Sequence, residues 1–133
     1  MNFGLIVSKQ HPPGVSMVDR FREHVDQVRA ARDAGFDLIV MGQHYLSTPF
    51  QEMQTLPALA RLAAEAGTMR VGATVILLPL LNPVDVAEQV ATLDVITEGA
   101  SSSAWAWATA TRRTRPSASP PASAWPGSSR ASR

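Results

Sequence analysis

The chain has 133 residues, 12 Lys and Arg against 11 Asp and Glu, and no Cys. That length suits one domain with a buried core, and the lack of Cys excludes disulfides, thiolate metal sites and a cysteine nucleophile. The near-neutral total hides a break: all 11 acids fall in residues 1–99, whereas 100–133 holds five Arg and no acid, so the overall charge says little about partners.

Residues 2–8 (NFGLIVS) are apolar nearly throughout, as suits a parallel strand covered on both faces. A polar, Pro-rich loop follows, and Ser16 with Asp19 three residues on resembles a capping box. Phe21, Val25 and Val28 recur at helical spacing, with charged residues on the remaining face and Gly35 as the stop. His24, beside the Phe21 and Val25 face, is expected on the helix surface; His11, in the first loop, is within reach of the strand ends. Residues 36–42 (FDLIVMG) read as a second buried strand, with Gln43, His44 and Tyr45 at its C-terminal end. Residues 56–66 (LPALARLAAEA) form a small Ala-rich helix ended by Gly67. Residues 71–78 (VGATVILL) are a third, β-branched strand. Asn82 as cap, Pro83 in the first turn and Asp85 start a third helix through Val86, Val90, Leu93 and Ile96, stopping near Gly99.

The order β-α-β-α-β-α predicts a parallel sheet. Units of roughly 30 residues fit the start of a (β/α)8 barrel of ~250 residues, and a doubly wound sheet has the same local grammar. The first turn lacks G-x-G-x-x-G, so a Rossmann dinucleotide site gains no support. The N-terminus has no basic segment before a long apolar run, and no stretch reaches the roughly 18–20 apolar residues of a membrane span, so a cytoplasmic protein is expected.

Residues 100–133 are a different material: Ala, Ser, Arg, Pro, Thr, all three Trp, one Gly, and no Leu, Ile, Val, Met or Phe. Nothing periodic is available for a core, so a disordered tail is predicted. A natural linker or basic tail is one origin. The genetic code suggests another. Trp is always TGG and Ala always GCN, so residues 105–108 (WAWA) are TGG GCN TGG GCN. The frame starting at each third base reads Gly at both junctions and Leu, Met or Val between them. With GC-rich codons, residues 99–113 re-read as GRVVVGVGVGYRDEE, an apolar strand ending in glycines where a fourth βα unit is due. The tail therefore reads as a frameshift product. Its Arg and Trp imitate a nucleic-acid-binding segment, but no ordered platform displays them, and no nucleic-acid partner is expected.

Two stretches carry a family resemblance. GFDLIVMGQHY (35–45) resembles the second strand of luciferase-like flavin-dependent monooxygenases, and VGATVILLPLLNPVDVAEQVATLDVITEG (71–99) resembles their third strand and helix. The resemblance covers essentially all of residues 1–99. It implies a partial (β/α)8 TIM barrel, the first three βα units, followed by the disordered tail. It implies reduced FMN as cofactor, or a deazaflavin coenzyme in hydride-transferring relatives, with O2 and a small-molecule substrate in the FMN members. By this resemblance His44 is the catalytic residue, assisting proton transfer, Gln43 lies beside flavin or substrate, and Thr74 and Val75 form the pair that often holds a non-prolyl cis peptide under the flavin. Read from the residues alone, His44 also fits a structural strand-end histidine, and Thr74 and Val75 fit ordinary strand core. No metal site is expected. The intact parent is compatible with a homodimer. The chain itself is expected to be a truncated, inactive fragment holding no flavin, or a pseudogene product.

Overall fold

The structure, a computed structural model, describes residues 1–8 and 10–106, with backbone alone for 101–106. Four parallel strands lie side by side in chain order: β1 (Gly4–Ile6), β2 (Leu38–Met41), β3 (Arg70–Leu77) and β4 (Ser101–Ala106). Helices α1 (Met17–Asp33), α2 (Thr55–Ala66) and α3 (Pro83–Ile96) connect them, and a short 3-10 turn, Leu78–Leu80, follows β3. The ladders pair Gly4 with Leu38, Leu38 with Arg70, and Val71 with Ser101.

The helix starts follow the sequence. Ser16 Oγ accepts the Asp19 amide at 3.3 Å, and Asn82 Oδ1 accepts the Val84 amide at 3.0 Å, each satisfying a first-turn N–H that the helix cannot. α1 ends at Ala34, and Gly35 takes φ +77°, a left-handed turn that a side chain would oppose. Asp37 then anchors both neighbours of β2. Its carboxylate accepts the Phe3 amide at 2.8 Å, and its backbone exchanges bonds with Phe3 and Arg70.

One hydrophobic core joins the sheet to all three helices: Val7, Ile39, Met41, Val71, Ala73 and Ile76 from the strand side meet Val28, Ala31, Leu59, Leu62, Val86 and Leu93. Residues 39 and 41, and 71 and 73, share one face because side chains alternate along a strand. Strict alternation would turn Ile76 away, yet it is buried. The β3–β4 register shifts between Ala73 and Ile76, and the Thr74–Val75 peptide there is cis.

Three expectations need correction. β1 is only three residues long, and Ile6 is 73% exposed, so this strand is covered on one face rather than two. His24 is not on the helix surface but only 2% exposed, because the first loop folds back over α1 at that point. Residues 101–106 are a strand, not irregular chain. Its backbone occupies the open edge of β3, and ladder bonds ask nothing of side-chain type. The expected disorder of 107–133 lies outside the described residues. No helix among the described residues is long and apolar enough to cross a membrane.

Candidate active site

β1 and β2 end beside the middle of β3, which runs on to Leu77, and a cleft of about 310 Å³ opens there. β1 and its loop contribute Ile6, Val7, Ser8 and Gln10; β2 contributes Gly42, Gln43 and His44; β3 contributes Thr74 and Val75. All four residues expected at a site from the sequence are thus brought together. The volume lies at the small end of the range for ligand sites, roughly 300–1,000 Å³. A wider hollow of about 700 Å³ lies on the outer side of α1 and α2, away from the strand ends. Strand ends matter more here than hollow size, because backbone groups and side chains from separate strands converge on them.

Each wall has a local cause. Gly42 passes so near β3 that a Cβ there would meet the Thr74 carbonyl oxygen at 3.0 Å, and a side chain would press the two strands apart by a few tenths of an ångström. The Gly42 carbonyl accepts the Thr55 hydroxyl at 2.6 Å, which ties the start of α2 to the end of β2. Gln43 Oε1 accepts the Leu77 amide at 2.9 Å, beyond the β3 irregularity. Gln43 therefore fastens β2 to β3, and its amide NH2 remains for a ligand. Thr74 is exposed and Val75 half-buried at the cleft.

His44 is half-exposed, and its Nδ1 lies 3.2 Å from Oε1 of Glu52, whose side chain is only 10% exposed. Sequence reading missed Glu52: an acid eight residues on, in an irregular loop, has no spacing rule that would single it out. It also missed the joining of the two loops around the cleft. His11 and Gln51 exchange backbone hydrogen bonds at 3.0 and 2.8 Å, and the Gln51 side-chain amide donates to the Pro12 and Val15 carbonyls.

Behind the first loop, the His11 and His24 rings lie 5.2 Å apart and His24 meets the edge of Phe21. Burial holds the His24 imidazole below its ordinary pKa, helped by His11, while Glu23 and a hydrogen bond to the Ser8 backbone oppose this. His11 is nearly buried beneath the loop bridge rather than facing the cleft. No group of three His, Cys, Asp or Glu able to hold a metal exists among the described residues.

A parallel sheet carrying its helices on one side, with polar groups converging at the strand C-termini, defines an α/β protein with a candidate ligand site at those ends. Residues 1–99 match the family model for luciferase-like monooxygenase, and the chain belongs to that family. A luciferase-like monooxygenase of Escherichia coli (strain K12) is 28% identical over 97 residues, covering 73% of this chain. The chain spans 29% of that relative's length. Among solved structures, the oxygenating constituent of 3,6-diketocamphane monooxygenase from Pseudomonas putida, in complex with FMN, superposes with TM-score 0.70 at 21% identity, over 80% of this chain and 29% of that one. An F420-dependent secondary alcohol dehydrogenase, in complex with an F420-acetone adduct, gives TM-score 0.64 at 20% identity, over 78% of this chain and 31% of that one. At such identities these two likenesses are of fold.

Proposed function

We propose that residues 1–99 are the opening βα units of a (β/α)8 barrel whose intact form is a flavin-dependent monooxygenase, using reduced FMN and O2 on a small organic substrate. The convergence of Gln43, His44, Thr74 and Val75 on one strand-end cleft carries this reading. A flat heteroaromatic ring fits the residues present. Gly42 keeps the floor free of a side chain that would strike Thr74, Val75 and Ile6 offer apolar contact, and the Gln43 amide and His44 ring offer polar groups at the rim. When bound, the reduced flavin would supply the electrons that activate O2. The chain's own part is to back the ring with Thr74 and Val75, to hold it beside Gln43, and to move or hold a proton at the His44 imidazole.

The second reading is a deazaflavin-dependent hydride-transfer oxidoreductase, favoured by the likeness to the F420-dependent dehydrogenase. The two differ in whether O2 is consumed. Residues 1–106 build one wall of such a site, and the loops that commonly hold the cofactor phosphate in barrels come from later strands. Residues after 99 are read as a shifted frame, on the Trp and Ala codon pattern of residues 105–108.

The test uses two proteins: the 133-residue chain, and a version continuing residues 1–99 in the long reading frame. Each is titrated with reduced FMN and with F420, and oxygen uptake is followed. Stoichiometric flavin binding by the frame-restored protein alone, with oxygen uptake, is the expected result. Tight FMN binding by the 133-residue chain would overturn the one-wall reading. Failure of the frame-restored protein to bind either cofactor would overturn the flavin assignment.

A further inference from the structure

We propose that Glu52 is a positioning residue for His44: its carboxylate, set against Nδ1, holds the ring proton on that nitrogen and so fixes the tautomer whose Nε2 lone pair is available to the cleft. The inference rests on the reading of His44 as the proton-transfer group and adds a residue to it.

The geometry is one-sided. Nδ1 sits 3.2 Å from Glu52 Oε1, an oxygen sheltered from solvent, in an ion-pair contact that falls short of hydrogen-bond geometry, while the His44 side chain is 50% exposed and lines the cleft. In a neutral imidazole one nitrogen carries the proton and the other accepts, and the hydrogen bond at one decides the state of the other. A carboxylate only accepts, so it selects Nδ1–H and leaves Nε2 as a base. Carboxylates hold imidazoles in this manner where histidine serves as base or ligand.

Glu52 is itself held. Gln51, its chain neighbour, is bridged to His11 by two backbone hydrogen bonds, and its side-chain amide spans to Pro12 and Val15 at 3.0 and 3.2 Å. Three residues on, the Thr55 hydroxyl binds the Gly42 carbonyl, which fixes the other end of the loop against β2. The loop after β2 thus starts and ends at the same strand end. The acid is delivered to the histidine by backbone anchoring, which a flexible surface pair lacks. A tautomer-setting contact has a signature, the position of the ring proton, that a merely structural contact need not move.

The test reads ring-nitrogen shifts in long-range ¹H–¹⁵N spectra of the 133-residue chain at mildly alkaline pH. The chain has three His, so each ring can be assigned, and His11 and His24 report the fold independently. The wild-type His44 ring should carry its proton mainly on Nδ1. In Glu52→Gln, whose amide can donate as well as accept, Nδ1–H should lose its majority while His11 and His24 stay unchanged. A wild-type His44 protonated mainly on Nε2 overturns the proposal, and so does a tautomer indifferent to Glu52→Gln. Should that variant unfold, as shown by His11 and His24, the wild-type tautomer decides alone. No flavin enters this measurement, so its outcome stands apart from the cofactor reading. In the frame-restored protein, Glu52→Gln should lower kcat more than it raises KM. A confirmed tautomer shift without any loss of kcat would remove His44 from proton transfer while keeping Glu52 as its positioning residue.

Discussion

Gly42 and the Thr74 carbonyl meet where β2 ends beside β3, so neither backbone can retreat without straining ladder bonds. Gly42→Ala should cost about 1–3 kcal/mol, the usual range for overpacking, seen as a lower urea midpoint at unchanged slope. An unaltered midpoint would show that the strand ends separate freely. His24 sets a pH dependence. Its folded pKa is depressed by burial, so the unfolded chain takes up the proton first on acidification. The stability it contributes is fully present above the ordinary imidazole value of about 6.5 and is lost as pH falls through that value toward the folded one. Glu23, Arg20 and His11 face the same ring, and the summed effect remains a lowering. Unfolding free energy should thus fall between neutral and mildly acid pH, and His24→Phe should flatten that slope; an equal slope in the variant would refute the assignment. At His44 the prediction is chemical. In the frame-restored protein, His44→Ala should lower turnover by about 10²–10⁴, the range for general acid–base groups, with flavin affinity much less changed.

α1 and α2 are locked by Glu65, which accepts from Arg29 and Arg61 at 2.9 Å each, while Arg32 reaches the Glu65 backbone carbonyl. The Arg29 and Arg32 bonds join α1 to α2, but the holding force is apolar: Leu59 and Leu62 of α2 are completely buried against the sheet. Leu59→Ala should cost about 2–5 kcal/mol, by lost transfer energy and the cavity left behind, measured by chemical denaturation. A cost under about 1 kcal/mol would mean that the core collapses around the gap. The elements themselves were legible in the sequence. Apolar runs mark the strands, Ser16 and Asn82 cap as expected, and His44, Gln43, Thr74 and Val75 gather because strand ends of a parallel sheet must gather. What was not legible depends on partners remote in the chain. His24 is buried by His11 and Ser8 of another segment, and Glu52 reaches His44 through a loop held by His11. β4 consists of Ser, Ala and Trp, whose identities give no strand pattern; the free edge of β3 draws them in.

Across the whole molecule, several large apolar side chains stand exposed: Ile6 on β1 at 73%, and Phe3, Tyr45 and Phe50. Among the described residues, β1 also has one edge without a strand partner. Such surfaces associate, so sedimentation velocity should show mass rising with concentration, and Ile6→Lys should reduce it. A strictly monomeric wild type would contradict this. The strand order carries a different consequence. Because β1, β2, β3 and β4 stand in the sheet as they stand in the chain, each ladder closes a loop of nearly constant length, 34 residues from Gly4 to Leu38, 32 from Leu38 to Arg70 and 30 from Val71 to Ser101. Loop closure costs almost the same at every step. A chain emerging from a ribosome can therefore build this sheet in the order of its synthesis. Each new strand meets an edge already templated, and among these four strands no pairing skips a strand made in between.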